Sequence, residues 1–154
     1  MSEISELIEK MYGHYYTPQT ISNINQIVSE DVIAFKERQL ESKYSVIFMD
    51  ATHIPLKRQT VSKEATYIAI GIQLVRPKEV LGFSIAPTES AYVWKEVLQD
   101  LKNRGLEEVL LVVTDGVSDI NDSIHSVYPN TLFRQCCVHI SRNIAHKVCV
   151  KDRK

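Results

Sequence analysis

Two carboxylates stand where a carboxylate is costly. Asp50 follows the apolar run Val46-Ile47-Phe48-Met49, and Asp115 follows Val109-Leu110-Leu111-Val112-Val113-Thr114. A short apolar run bounded by polar residues reads as a buried strand. Asp is poor in strands and expensive to bury without a partner. If the two strands lie side by side, the acids meet at their ends and repel, unless a cation sits between them. Oxygen ligands suit a hard divalent ion, and Mg²⁺ (or Mn²⁺) is the ion of phosphate chemistry. Two such ions can clamp the attacking and leaving oxygens of a phosphodiester. Taken singly, each acid has a plainer reading as a helix cap or turn former, and Asp115-Gly116 suits a turn.

A second constellation is Cys136-Cys137-Val138-His139, a C-x-x-H at a strand-to-helix junction. As a zinc site it is short of ligands, with only the distant His146 and Cys149 to add. Its plainer reading is a buried Cys and a solvent-facing His. The helix that starts at about Cys137 has two stripes. Cys137, Ile140, Ile144 and Val148 form an apolar one, of which Ile140, Ile144 and Val148 are expected to be buried. His139, Arg142, Asn143 and His146 form a polar one. From residue 133 onward there are six Lys/Arg against one Asp. That balance suits a phosphate backbone, with a solvated tail as the bland alternative.

The elements that position these groups follow from periodicity. Ile4, Leu7, Ile8 and Met11 fall on one helix face, with Gly13 as its C-cap. Thr17-Pro18 reads as N-cap and first residue of a second helix. There Ile21, Ile24 and Val28 are expected to face inward, and Gln19, Asn23 and Gln26 to share the outer face. The pair resembles a helix-turn-helix, and a plain helical hairpin fits equally well. Asp31 to Glu41 continues as a charged connecting helix. From Tyr44 the pattern changes. A first strand ends at Asp50 or just past it, and Ile54 to Thr60 is extended, polar and interrupted by Pro55. Strands at Ala65–Ile72 and Val80–Ile85 flank a turn at Arg76-Pro77-Lys78, which implies an antiparallel hairpin. Ser90 caps a helix with Trp94, Val97, Leu98 and Leu101 on one stripe, closed by Gly105. The Asp115 strand is next. A short helix capped by Ser118 runs to Val127. Pro129-Asn130 turns, and a fifth strand spans Thr131–Gln135.

Three antiparallel strands followed by helix-linked parallel ones make a mixed α/β sheet flanked by helices, the order of a ribonuclease-H-like fold. In that order the first and fourth strands are neighbours, so Asp50 and Asp115 are expected together. The division expected is a helix-turn-helix-like segment with its connecting helix over 1–43 and the catalytic core over 44–154.

At 154 residues the chain holds one domain and a small appendage. Its net charge of −1 does not announce a nucleic-acid binder by itself. Residues 1–43 carry four Lys/Arg against seven Asp/Glu, so any basic surface lies at the other end. Three bunched cysteines make no disulfide framework and suit a reducing compartment. No run approaches membrane-spanning length, and the acidic start is unlike a secretory signal. A soluble cytoplasmic protein is expected. There is no glycine-rich phosphate loop, which disfavours a nucleotide-binding or phosphohydrolase α/β domain.

The stretches Thr17-Pro18-Gln19-Thr20-Ile21-Ser22-Asn23-Ile24, Phe48-Met49-Asp50-Ala51, Ala69-Ile70-Gly71-Ile72, Lys78-Glu79-Val80-Leu81-Gly82-Phe83, Leu101-Lys102-Asn103-Arg104-Gly105-Leu106, Thr114-Asp115-Gly116 and Arg134-Gln135-Cys136-Cys137-Val138-His139-Ile140-Ser141-Arg142-Asn143-Ile144 resemble the mutator-type transposases of bacterial insertion sequences. The resemblance is collinear over nearly the whole chain, and the C-x-x-H-x-x-R-N block is its most specific part. It implies a ribonuclease-H-like core with an Asp-Asp-Glu metal triad and a nucleoid-associated protein. Asp50 falls on the first acid and Asp115 on the second. Cys136 and His139 fall on a C-x-x-H that supports the active site and DNA strand. The helix over Thr17–Ile24 falls on the second half of a helix-turn-helix for terminal-repeat binding, with Gln19, Asn23 and Gln26 on its outer face. Arg142, Asn143 and His146 are the further DNA-contact candidates. The implied partners are double-stranded DNA at terminal inverted repeats, target DNA and a second copy of the chain. The pattern departs in one respect: the third acid is a Glu well downstream, and no Glu follows Glu108. An internal piece of a transposase, decayed or frameshifted and inactive alone, is therefore expected. The competing expectation is a DNA-binding or dimerising remnant without catalysis.

Overall fold

The computed structural model describes residues 6, 9–11, 13–14, 16–57, 61–75, 77–116 and 119–148, with backbone only at 56–57 and 61–62. The expected helix face of Ile4, Leu7 and Ile8, the Arg76 turn position, the Ser118 cap and Cys149 lie outside them. The chain divides into two compact units, Met1–Arg38 and Gln39–Lys154.

The first unit contains α1, Pro18–Glu37. Thr17 sits at its N-cap with extended backbone, and its hydroxyl accepts from the Thr20 N–H. Proline follows at the start of the helix, where its missing N–H costs nothing. The helix continues past Asp31 as expected, and ends at Glu37 rather than at Glu41. Its expected inward face is not covered. No residue of α1 is buried, and Ile24 and Val28 are 46% and 53% exposed. The apolar spacing was real, but a stripe is buried only where another element covers it. The polar side chains pair along the helix: Gln19 donates to Asn23, and Gln26 to Glu30.

The second unit is built on β1 (Lys43–Lys57), β2 (Val61–Ile72), β3 (Glu79–Ala86), α2 (Ala91–Asn103), β4 (Glu108–Thr114), α3 (Ile120–Val127), β5 (Leu132–Gln135) and α4 (Cys137–Lys147). The five strands form one sheet in the order β3-β2-β1-β4-β5. β1 pairs antiparallel with β2, and β2 with β3; β1 pairs parallel with β4, and β4 with β5. This mixed five-stranded sheet flanked by helices has the ribonuclease-H-like order read from the sequence. One boundary differs. β1 does not end near Asp50 but continues to Lys57, because β2 begins at Val61 and pairs with it throughout, Pro55 lying opposite Lys63.

Side chains alternate across a strand. In β1, Ile47 and Met49 are buried while Phe48 and Asp50 are exposed. The buried face is covered by Trp94, Val97, Leu98 and Leu101 of α2 and by Ile120, Ile124 and Val127 of α3. Each large apolar side chain so buried contributes about 1.5–3 kcal/mol. Ser90 caps α2, its Oγ accepting from the Val93 N–H. Gly105, at φ +103°, ends the helix in a conformation that other residues rarely adopt. At α3 the N-cap position is taken by Asp119, in left-handed backbone and without a side-chain cap bond.

Candidate active site

The geometry begins with the sheet register. Met49 of β1 pairs with Thr114 of β4, the last paired couple between these parallel strands. Asp50 and Asp115 are the residues that follow each. Neighbouring parallel strands thus deliver both acids at the same level of the sheet. Asp50 is open, with a side chain 66% exposed. Asp115 is half-buried, and its Oδ1 is buried without a hydrogen-bond partner.

The turn after β4 is held by three features. Thr114 is 1% exposed, and its Oγ1 accepts from the Gly116 N–H at 2.9 Å. Its carbonyl accepts from the Cys136 N–H at 2.6 Å, which ties the β5–α4 junction to the root of Asp115. Gly116 has φ +89°, and a Cβ there would collide with the Gln135 side chain.

α4 starts directly after Cys136. One turn in, His139 points its Nε2 toward Asp50 Oδ1 at 3.9 Å. That is too long for a hydrogen bond and within reach of charge attraction. His139 Nδ1 is buried and unpartnered. Cys136 closes no side-chain cap bond. Its thiol is nonetheless held below the ordinary value, first by the His139 backbone N–H and then by the His139 ring. The sequence pattern C-x-x-H therefore joins the two acids at one end of the sheet.

The polar stripe of α4 is open to solvent at Arg142, Asn143 and His146. The apolar stripe expected to be buried is not: Ile140 and Ile144 are 38% and 57% exposed, Cys137 is exposed and Val148 half-buried. α4 follows the edge strand β5, and nothing among the described residues covers that side of it.

Two residues escaped the sequence reading. Glu89 lies in the loop before α2, with its Oε1 buried and unpartnered. Its pKa is raised, first by burial and next by Asp115; Asp50 also raises it, while His53 and His139 oppose the rise. Glu89 therefore feels the charges of Asp115, Asp50, His53 and His139. In the sequence Glu89 reads as an ordinary polar loop residue, and only folding reveals it. His53 lies three residues past Asp50 on β1 and carries no signal of its own in the sequence.

Among the described residues, no group of three or more His, Cys, Asp or Glu side chains is arranged to hold a metal ion. The donor chemistry still suits a hard cation: the buried, unpartnered oxygen of Asp115 belongs to a carboxylate, and Asp50 adds open ones. No described helix is long and apolar enough to cross a membrane.

The ribonuclease-H-like sheet thus brings two strand-end carboxylates and a histidine to one end. The family model described as Transposase, Mutator family, matches residues 1–154, and the chain belongs to that family. It is 50% identical over 151 residues to the transposase for insertion sequence element IS905 of Lactococcus lactis subsp. lactis (strain IL1403), covering 98% of this chain and 39% of the relative. It is 46% identical over 152 residues to the transposase for insertion sequence element IS1201 of Lactobacillus helveticus, covering 99% of this chain and 41% of the relative. The chain thus spans about two fifths of the length of these curated relatives. Among solved structures it is similar to a chain of a simian T-cell lymphotropic virus intasome in complex with the PP2A regulatory subunit B56 gamma. That match has 13% identity, a TM-score of 0.42, and covers 71% of this chain and 41% of that one. The fold assignment rests on the strand order and register rather than on that likeness.

Proposed function

We propose that this chain carries the first two acids of a metal-dependent centre for phosphodiester cleavage and strand transfer at insertion-sequence ends, and that it is inactive alone. The observation that supports this most is the register that delivers Asp50 and Asp115 to one level of the sheet, with one Asp115 oxygen buried and unpartnered and His139 3.9 Å from Asp50. Asp50 and Asp115 would hold Mg²⁺ or Mn²⁺. When bound, that ion supplies Lewis-acid stabilisation of charge on phosphoryl oxygens.

The chain's own groups do the rest. Asp50 keeps an open face for substrate. The Thr114–Gly116 turn fixes Asp115, so little reorganisation is left for the reaction. His139 is placed to donate to a phosphate oxygen, and Cys136 supports the start of its helix. Arg142, Asn143 and His146 project from the same helix into solvent, where they would meet a DNA backbone. On α1, Gln19, Asn23 and Gln26 offer the bidentate groups that read base edges. The substrate is double-stranded DNA at terminal inverted repeats, together with target DNA, in the bacterial nucleoid.

The test is calorimetric titration of the 154-residue chain with Mn²⁺, beside Asp50→Asn. Binding that disappears in the variant supports the reading; no binding by the parent chain overturns it. A second reading, a dimerising remnant without catalysis, draws on the exposed apolar stripe of Ile140 and Ile144. Sedimentation equilibrium of the parent chain and of Ile140→Ser/Ile144→Ser separates the two.

A further inference from the structure

We propose that the tip of the β2–β3 hairpin and the cleft beside it form an interface between two copies of this chain, with Val75 of each copy seated in the cleft of the other. β1 and β4 pair from Lys43 and Glu108 at this end of the sheet, and Asp50 and Asp115 emerge at the opposite end. The surface is separate from the cation site and from the apolar stripe of α4, and the inference depends on neither.

The tip projects apolar side chains where a turn has no use for them. Leu74 and Val75 lie between the end of β2 at Ile72 and the start of β3 at Glu79. They are 90% and 95% exposed, more than any other large hydrophobic residue among those described. Single exposed hydrophobic residues are ordinary. Two neighbours bared together at a turn are not, because turns favour Gly, Pro, Asn, Asp and Ser. A third, Leu110 at the start of β4, is 54% exposed and shares the cleft with Leu74. A contiguous apolar patch of this kind marks an interaction site.

The cleft is open, with a volume of about 360 Å³, and Tyr44, Leu74 and Leu110 supply its apolar wall. Tyr44 is buried, and its hydroxyl donates to Glu79 Oε1 at 2.6 Å. That bond ties the first residue of β3 to β1, so the tip and the cleft hold a fixed relation to each other. Glu41, Lys43 and Glu108 also line the cleft, Lys43 pairing with Glu108 at 2.7 Å. The lining thus has two carboxylates for one ammonium. The tip has the opposite sign: residues 73–78 include Arg76 and Lys78 and no acid, and Lys78 is exposed.

An apolar, basic knob therefore stands beside an apolar, acidic cleft on one molecule. A twofold axis brings each knob to the other copy's cleft, so one contact made twice covers both surfaces in both chains. The same axis brings Lys78 toward Glu41 of the partner subunit. Such charge matching fixes register and disfavours wrong partners. A second copy carries both the shape and the sign that this surface asks for. The acid end of each sheet stays uncovered.

The experiment is sedimentation equilibrium of the 154-residue chain across the micromolar range, under reducing conditions. The chain is compared with Leu74→Asp/Val75→Asp, Val75→Ser, Leu110→Glu, Lys78→Glu, Lys78→Glu/Glu41→Lys and Ile140→Ser/Ile144→Ser. The parent chain is expected to dimerise. The tip double variant and Leu110→Glu should each weaken association roughly tenfold or more, and Val75→Ser less. Lys78→Glu should weaken it and the charge-swapped double variant restore it. Ile140→Ser/Ile144→Ser should leave it unchanged. Circular dichroism establishes that each variant is folded, and should the tip double variant fail to fold, Val75→Ser decides. A monomeric parent chain overturns the proposal. A dimer that survives the folded tip variants but is lost in Ile140→Ser/Ile144→Ser overturns it in favour of α4. A dimer broken at the tip but indifferent to Leu110→Glu overturns the seating in the cleft.

Discussion

His139 Nε2 lies 3.9 Å from Asp50 Oδ1, across the gap between the first turn of α4 and the middle of β1. Their side chains are 32% and 66% exposed. Exposed pairs of this kind contribute about 0–1 kcal/mol. His139→Ala is therefore expected to cost less than about 1 kcal/mol in urea denaturation. If the pair serves the site rather than the fold, the same variant weakens binding of a short DNA duplex while stability is nearly unchanged. A large loss of stability would assign His139 a structural role instead.

Tyr67→Phe removes the hydroxyl that joins the Thr88 carbonyl to the Ser90 N–H. Thr88 is exposed and Ser90 half-buried, so water takes up part of the lost bonding. A cost of about 0.5–1.5 kcal/mol is expected for each hydrogen bond removed. Denaturation measures the total. Hydrogen exchange at the Ser90 N–H checks the mechanism, since that amide should lose protection more than those in the middle of α2.

Gly116→Ala meets two obstacles, a φ of +89° and the Gln135 side chain. Strain of this type costs of the order of 1–3 kcal/mol. The turn also carries Asp115, so Mn²⁺ affinity should fall along with stability. Unchanged affinity in a folded Gly116→Ala would separate the turn from the site.

Glu89 gives a pH dependence whose sign is fixed by the direction of its shift. Burial, then Asp115, raise its pKa above the ordinary 4.5; Asp50 adds to the rise, and His53 and His139 oppose it. The protonated acid is thus favoured in the folded state. Its contribution to stability is complete below the unfolded value and is lost as pH rises through the folded one. In chelator, Glu89→Gln should match the parent midpoint at pH 4 and exceed it at pH 7. Thermal melts across that range check the crossing. A variant less stable at pH 7 than at pH 4, relative to the parent, would show that the carboxylate is stabilised by the fold.

The sequence by itself determined the sheet and its polar end. Alternation and short apolar runs marked the strands, Ser90 and Gly105 marked the ends of α2, and the stripe of Trp94, Val97, Leu98 and Leu101 is buried as expected. These signals are local: they depend on backbone preference and on spacing of three to four residues or two. The strand order then placed Asp50 beside Asp115, because a parallel crossover after the hairpin leaves β4 next to β1.

Tertiary structure alone decided what those patterns face. Ile24, Val28, Ile140 and Ile144 have helical spacing and remain exposed, since a stripe says that a surface can be covered and not that it is. β1 runs past Asp50 to Lys57 because β2 extends equally far to pair with it. The loop at Glu89 is held by Tyr67, twenty-two residues earlier in sequence and bonded to the residues on either side of it. No local pattern encodes such a contact, because the energy that holds it comes from a hydroxyl and two backbone groups brought together by the closed sheet.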